Sequence, residues 1–198
     1  MEEHYYVENP KSKYFEYAIK AKICGFDFTF KSASGIFSAR EVDRASKLLI
    51  EKANLPKSGK ILDLGCGYGL IGIVAAKLCP RCTVVLTDIN KRAVKAAIDS
   101  LKLNRIRNAE VRQGNVYEPV SNEKFDVILL NPPMAAGRKL VMKMISEAPK
   151  HLNNGGSLQI VARKNKGGEF LFKEMDKIFG KTEVLAKSGG FWVVKGVK

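Results

Sequence analysis

The sequence predicts an α/β fold in which a mainly parallel sheet is covered by helices on both faces. Apolar runs of strand length alternate with segments of helical spacing from Lys60 onward. Residues 61–72 combine an apolar run, a glycine-rich turn and a second apolar segment, as in the first βα unit of a nucleotide-binding sheet. Polar residues follow several of these strands, and ligands of such sheets bind at the carboxyl ends of the strands.

The chain of 198 residues is long enough for one domain, or one domain with an extension, that buries roughly 70% of its unfolded surface. Residues 1–34 are expected to form an N-terminal extension. Partial alternation on both sides of Cys24-Gly25 predicts a β-hairpin there. Residues 1–10 are polar and are expected to be loose, whereas residues 35–198 are expected to form the main domain.

The elements of the main domain follow from local pattern. Helical spacing predicts a first helix from Glu41 that ends before Pro56, and further helices over residues 70–78, 92–103, 139–151 and 169–179. Short apolar runs predict strands over residues 60–64, 83–88, 110–113, 125–130, 158–162, 183–186 and 191–194. Residues 153–156 are predicted to form a turn. The last two strands are too close for a crossover and must be antiparallel.

The glycine-rich turn predicts a nucleoside-binding site. Glycines at 65, 67 and 69 permit positive φ and leave room for a ligand against the backbone. Asp63 is expected to fix this loop by accepting its N–H groups. Asp88 lies at a suitable distance to bind ribose hydroxyls, with a helix-capping role as the structural alternative. Residues 67–72 also satisfy the dinucleotide fingerprint, so an NAD-dependent dehydrogenase is an alternative at this point.

The segment Asn131-Pro132-Pro133, at the end of a predicted buried strand, favours methylation of an amino group over dehydrogenase chemistry. The prolines are expected to leave carbonyl oxygens without a neighbouring N–H donor. The side-chain oxygen of Asn131 and the Pro132 carbonyl oxygen can then accept the two N–H groups of an amine, so that its lone pair faces a sulfonium methyl group. Asn131→Asp, which keeps an accepting oxygen, is expected to retain partial activity. An ordinary Asn-Pro turn is the structural alternative.

Charge and composition narrow the class of partner. The chain has 34 Lys and Arg against 20 Asp and Glu, a net charge of +14. Together with the Asn131-Pro132-Pro133 motif, this charge favours a polyanion such as nucleic acid over a merely solvated lysine-rich surface. Cys79 and Cys82 have ligand-like spacing but no second pair, so zinc is not expected. Cys66 and Cys82 are expected to be buried, reduced thiols.

Two further expectations follow from features that the sequence lacks. His4 and His151 have no nucleophile near them in sequence and are not expected to be catalytic. An apolar leader and a membrane-spanning run are both absent from the sequence, so a cytoplasmic protein is expected.

These motifs together resemble class I S-adenosylmethionine-dependent methyltransferases that modify exocyclic or amide nitrogens. Gly35-Ile36-Phe37-Ser38 with Asp43, Gly114-Asn115-Val116 and Gly155-Gly156 extend the resemblance to the catalytic domain of ribosomal RNA guanine-N2-methyltransferases, over roughly residues 35–195. The resemblance implies a Rossmann-like sheet of seven strands in the order 3-2-1-4-5-7-6, with strand 7 antiparallel. It also implies S-adenosylmethionine as cofactor and ribosomal RNA, or a ribosomal subunit, as partner.

Motif and resemblance together give a set of candidate site residues. Catalysis is assigned to Asn131 and Pro132. The cofactor-binding residues are expected to be Asp63, Gly65, Gly67, Gly69, Asp88, Ile89, Asn115, Val116 and Asn131. Substrate binding is assigned to Phe37, Pro133 and Met134, with core packing as the alternative for Phe37 and also for Phe191.

Two departures from the family pattern matter. Met134 stands where the family commonly has an aromatic residue that stacks on the target base, and a thioether stacks less strongly. Bacterial relatives also carry an additional N-terminal domain, so substrate recruitment here must use the basic surface, the hairpin or a second subunit in a homodimer. Three alternatives stay open: a DNA adenine-N6 methyltransferase, a protein glutamine-N5 methyltransferase, and a non-catalytic RNA-binding module with a retained cofactor pocket.

Overall fold

The computed structural model describes residues 6–198, so the expectation for His4 lies outside the described residues. The predicted hairpin is present as β1 (Glu16–Ile23) and β2 (Phe26–Ala33), paired antiparallel along their whole length. Cys24 and Gly25 form its two-residue turn with φ of 51° and 84°. Positive φ at both positions is the pattern of a type I′ turn, which matches the twist of the strands on either side.

The main domain contains a seven-stranded sheet with helices on both faces. Its strands are β3 (Gly59–Leu64), β4 (Cys82–Asp88), β5 (Ala109–Gln113), β6 (Phe125–Leu130), β7 (Leu152–Arg163), β8 (Thr182–Ser188) and β9 (Phe191–Val197). The helices are α1 (Arg44–Lys52), α2 (Leu70–Leu78), α3 (Lys91–Leu103), α4 (Arg138–Glu147) and α5 (Gly168–Phe179).

The strand order confirms the predicted topology. The sheet runs β5-β4-β3-β6-β7-β9-β8, which is 3-2-1-4-5-7-6 when the hairpin is left out of the numbering. β3 to β7 are parallel, and β9 is antiparallel to both of its neighbours. The central strands are buried almost throughout, since Leu62, Ile128 and Leu129 are each 0% exposed. Such apolar runs are typical of parallel strands that are covered on both faces.

Two predicted boundaries are wrong. The turn expected at residues 153–156 is part of the single strand β7, whose pairing with β6 shifts register there. Contacts distant in sequence hold the segment: Asn153 Nδ2 donates to Asp126 Oδ1 at 2.9 Å, and Gly155 N donates to the Lys198 carbonyl oxygen at 3.0 Å. The helix predicted over residues 139–151 ends at Glu147, and a 3₁₀ turn that contains Pro149 follows.

The expectation for the cysteines is corrected in part. Cys66 is a buried free thiol, as expected, and burial raises its pKa. Cys82 is not a free thiol, because it forms a disulfide with Cys79 across the turn between α2 and β4. That turn brings the two Cα atoms to 5.3 Å, a separation that disulfides commonly span. Across residues 6–198, His, Cys, Asp and Glu side chains form no group of three or more that could ligate a metal ion.

Two features bear on other expectations. His151 is buried and stacks on the Tyr117 ring with centroids 4.3 Å apart, away from the cleft described below. Within the described part of the chain, none of the helices combines the length and apolarity that are needed to cross a lipid bilayer.

Candidate functional site

A cleft lies at the edge of the sheet where β3, β4, β5 and β6 end. It contains about 1040 Å³ of space, including its open mouth. Most of the predicted site residues line it: Phe37, Gly65, Gly67, Asp88, Ile89, Asn115, Val116, Asn131, Pro132 and Pro133. Asp63, Gly69 and Met134 are not in the lining.

The turn after β3 leaves open space where side chains would stand. Gly65 and Gly67 have φ of 74° and 56°, in the region that disfavours other residues. A Cβ atom at Gly65 would meet only Met144 Cε at 3.8 Å, and one at Gly67 only Ile36 Cγ2 at 4.0 Å. Since both glycines line the cleft, side chains here would occupy the space for a ligand. The turn is fixed because the Gly65 and Cys66 N–H groups both donate to the Thr87 carbonyl oxygen, at 2.8 and 2.9 Å.

Asp88 connects the glycine turn to the start of α3. Its Oδ2 accepts from Gly67 N at 2.8 Å and its Oδ1 accepts from Asn90 N at 2.8 Å. The N-cap of α3 is Asn90, so the helix-capping alternative for Asp88 is wrong. Burial raises the pKa of Asp88, and the backbone N–H groups of Asn90, Gly67 and Ile89 oppose that shift. Each carboxylate oxygen retains a lone pair that can accept a hydroxyl group.

Asp63 and Gly69 position α2 and do not line the cleft. The buried Asp63 carboxylate accepts from Gly72 N at 2.8 Å, and burial raises its pKa to about 7. A Cβ atom at Gly69 would lie 3.2 Å from Leu86 Cδ2, so a glycine here lets the start of α2 pack closely against β4. Gly72 lies within α2 and does not line the cleft, so the expectation that Asp63 accepts the N–H groups of the glycine turn is wrong.

The Asn131 side chain is held in one orientation by Ser46 of α1 and by Asp43, the N-cap residue of that helix. Its Nδ2 donates to Asp43 Oδ2 and to Ser46 Oγ, each at 2.9 Å. The same Asp43 oxygen caps α1 by accepting from Ser46 N at 2.7 Å. Because a carboxylate only accepts, it must face the amide nitrogen. The remaining atom of the Asn131 amide, Oδ1, is thus available as an acceptor, and all three residues line the cleft.

The two prolines form a tight turn that differs from expectation in one respect. The Pro132 carbonyl oxygen accepts from Met134 N at 2.8 Å, so the prediction that it lacks a neighbouring donor is wrong. Pro133 has φ −75° and ψ 79°, near the values of an inverse γ-turn, which makes this bond between residues two apart. A second lone pair on that oxygen remains for a ligand. The Met134 side chain is 43% exposed and lies outside the lining.

Several lining residues were missing from the predicted set: Tyr6, Ser46, Tyr68, Leu140 and Met144. A sequence signal existed for Asp43, the lining residue that caps α1, because Asp near the start of a predicted helix is a preferred N-cap residue. Tyr6 carried no such signal, since it precedes the first predicted element.

A model of one protein family, the methyltransferase small domain, matches residues 27–195 of this chain. The chain belongs to the methyltransferase small domain family. Membership decides against the dinucleotide dehydrogenase alternative and confirms the resemblance drawn from the motifs.

Relatives within the methyltransferase small domain family are of two lengths. The uncharacterised Bacillus subtilis (strain 168) protein YbxB is 36% identical over 200 residues, which cover both chains completely. Ribosomal RNA small subunit methyltransferase C of Haemophilus influenzae (strain 86-028NP) is 37% identical over 171 residues, 84% of this chain and 50% of that protein. The chain therefore spans about half the length of the ribosomal RNA methyltransferases that it matches.

A solved structure of the family shows the same fold. The T. thermophilus 16S rRNA N2 methyltransferase RsmC, in complex with AdoMet and guanosine, superposes with a TM-score of 0.79 at 26% identity. The match covers 94% of this chain and 51% of that one.

Proposed function

We propose that the protein transfers a methyl group from S-adenosylmethionine to an exocyclic base amine in RNA, with guanine N2 of ribosomal RNA as the target. The orientation of Asn131 carries the proposal, since Asp43 and Ser46 occupy its amide nitrogen and leave Oδ1 facing an open cleft. Ribosomal RNA methyltransferases at 36–37% identity, and the RsmC complex with AdoMet and guanosine, support it.

The cleft suits a nucleoside cofactor on grounds of its own chemistry. The space beside Gly65 and Gly67 would be filled by any side chain there, and Asp88 is proposed to accept the ribose hydroxyls. Thr87 also lines the cleft, and its buried hydroxyl has no hydrogen-bond partner among the described residues. When bound, S-adenosylmethionine supplies an electrophilic methyl group on its sulfonium. Asn115 and Val116, at the end of β5, are proposed to contact the adenine.

Asn131 and Pro132 are proposed to position the amine. The Asn131 Oδ1 and the free lone pair of the Pro132 carbonyl oxygen each accept one N–H group, which directs the nitrogen lone pair away from both. Holding two reacting groups in line can lower a barrier by several kcal/mol without acid or base catalysis. A base within a duplex cannot reach these atoms, so the target nucleotide must be unpaired or flipped out.

Cations that lie against aromatic rings flank the cleft and support RNA as the partner. Guanidinium or ammonium groups lie 3.7 to 5.0 Å from ring centroids in three pairs: Arg138 with Phe170, Arg163 with Phe191, and Lys187 with Trp192. β7 ends at Arg163 and runs parallel to β6, so this surface shares an edge of the sheet with Asn131. Stacked cations of this kind bind phosphates and the faces of unpaired bases.

Incubation of the purified protein with labelled S-adenosylmethionine and separate total RNA, DNA and protein fractions tests the function. Label in RNA, identified as N2-methylguanosine by nucleoside mass spectrometry, is the expected result. N6-methyladenosine in DNA or methylglutamine in protein would replace the proposed substrate with one of the open alternatives. Binding of RNA without any transfer in all three fractions would favour a non-catalytic module.

Three further expectations belong to the same proposal. The division into an extension over residues 1–34 and a catalytic domain over residues 35–198 is one, and a cytoplasmic location is another. A homodimer is the third, and it offers one route to RNA recruitment. Light scattering of the purified protein with and without RNA tests it.

A further inference from the structure

An aromatic ring from the beginning of the chain enters the cleft beside the catalytic segment. Tyr6 is in the lining, and its hydroxyl donates to the Ala135 carbonyl oxygen at 3.2 Å. Ala135 lies two residues beyond Pro133 in the turn that follows β6. The hydroxyl end of the ring is therefore fixed on the Asn131 side of the cleft.

The residues after Tyr6 are fixed at the opposite side, on the start of α3. Lys91 N donates to the Glu8 carbonyl oxygen at 3.0 Å, and the Lys91 ammonium pairs with the Glu8 carboxylate at 3.0 Å. The Arg92 guanidinium donates to the carbonyl oxygens of Pro10 and Ser12 at 3.0 and 2.6 Å. We name residues 6–13 the N-terminal strap. The expectation that residues 1–10 are loose is wrong for the described part of that stretch.

The strap joins the two halves of the site, since it contacts the start of α3 and the turn after β6. α3 begins three residues after Asp88, on the side proposed for the ribose, whereas Ala135 follows Asn131, on the side proposed for the target amine. Tyr6 thus comes from the cofactor side and ends at the substrate side. The family position that commonly carries the stacking aromatic holds Met134 here, whose side chain is outside the lining.

We propose that the Tyr6 ring packs against the face of the target base. It thereby takes the role of the aromatic residue that the family commonly has at the position of Met134. This inference rests on the proposed function. The hydroxyl bond to Ala135 holds the ring in position before RNA binds, so little side-chain freedom is lost on binding. Tyr68, a third aromatic in the lining besides Tyr6 and Phe37, is only 4% exposed and packs in the core. A base that reaches Asn131 meets Tyr6 across the mouth.

Two variants separate the Tyr6 ring from its hydroxyl, and a third variant is a matched control. Tyr6→Leu removes the flat ring, Tyr6→Phe removes the hydroxyl that donates to Ala135, and Tyr14→Leu is the control. Tyr14 follows the strap, is 45% exposed and is not in the lining. The probe is an in vitro transcript of small-subunit ribosomal RNA. Its affinity is measured with the protein saturated by S-adenosylhomocysteine, alongside kcat/KM for methylation and cofactor affinity by calorimetry.

Tyr6→Leu is expected to weaken RNA binding and lower kcat/KM by roughly 5- to 100-fold, the range for loss of one base–aromatic stack. Tyr6→Phe should stay within about threefold of the wild type, as expected when only one exposed neutral hydrogen bond is lost. Tyr14→Leu should match the wild type, and all four proteins should bind cofactor equally.

Two results would overturn the role of Tyr6 while leaving the proposed function intact. One is a wild type that methylates the transcript together with a Tyr6→Leu variant of equal RNA affinity and kcat/KM. The other is a Tyr6→Leu variant whose loss is confined to cofactor affinity, which would make Tyr6 a cofactor-binding residue. A wild-type protein that neither binds nor methylates the transcript would overturn both proposals together.

Discussion

The polarity of the Asn131 network can be tested by reversing it. Asn131→Asp replaces the amide nitrogen, which lies 2.9 Å from Asp43 Oδ2, by a second carboxylate oxygen. Two unit charges about 4 Å apart repel by about 4 kcal/mol at an effective dielectric constant of about 20. The Asn131→Asp variant is therefore expected to lose about 10²- to 10³-fold in methylation rate at pH 8. The rate should recover below about pH 6, because repulsion of this size raises the pKa of one carboxyl group by about 3 units.

The double variant Asp43→Asn/Asn131→Asp restores the contact with donor and acceptor exchanged. The amide at position 43 then donates, and the carboxylate at position 131 accepts and still presents an oxygen to the target amine. Its rate at pH 8 should exceed that of Asn131→Asp at least tenfold. Asp43→Asn alone serves as the matched control. It should lose little of the methylation rate, since the neutral amide oxygen at position 43 can still accept from Asn131.

Initial rates at saturating cofactor and RNA, measured for all four proteins between pH 5.5 and pH 8.5, decide the matter. Thermal unfolding of each variant shows how much of any loss comes from the fold, because Asp43 also caps α1. A folded double variant that is no faster than Asn131→Asp at pH 8 would contradict the role of the Asp43 contact in orienting residue 131. An Asn131→Asp variant that keeps the wild-type rate across this pH range would contradict it equally.

Three other predictions concern the cofactor, the fold and the RNA. Asp88→Ala should weaken S-adenosylmethionine binding by roughly 1.5–3 kcal/mol, as for other hydrogen bonds to charged groups, and calorimetry that finds unchanged affinity would move the ribose elsewhere. Because burial raises the pKa of Asp63 from 3.8 to about 7, the folded state binds its proton more tightly than the unfolded state. In urea unfolding, the free energy of unfolding of the wild type should therefore fall by up to about 4 kcal/mol relative to that of Asp63→Asn as the pH rises from about 4 to about 7. The same dependence on pH in both proteins would contradict this. RNA affinity should fall with salt at a slope of about −0.7 per phosphate contact, and Arg163→Gln should reduce that slope by about one contact; a flat salt response would exclude a phosphate-dominated interface.

Elements that depend on local pattern could be predicted from the sequence. The bounds of α2 and β6 match the predicted bounds. Each segment is an apolar run with the length of one helix or one strand, so the local pattern identifies it. The glycine turn and Asp88 could equally be predicted, since the turn follows β3 directly and Asp88 ends β4. The order of the strands came from the family resemblance and not from periodicity.

The contacts that orient the site could not be predicted because they join distant residues. Asn131 bonds to Asp43 and Ser46, which lie 88 and 85 positions earlier in the sequence. Tyr6 bonds to Ala135, which lies 129 positions later. From sequence alone Asn131→Asp keeps an acceptor and should be partly active, whereas the Asp43 contact predicts a large loss. The bond between Met134 N and the Pro132 carbonyl oxygen was local but depended on ψ of Pro133, which proline does not fix.

The N-terminal strap is synthesised before both of the segments that hold it. Its Arg92 partner lies 80 to 82 residues further along the chain, and Ala135 lies 129 residues beyond Tyr6. At roughly 5–20 residues per second, the ribosome needs on the order of ten seconds to add the second anchor. A nascent chain therefore carries Tyr6 without its partner, and the strap is held at both ends only after β6 and its following turn have left the ribosome.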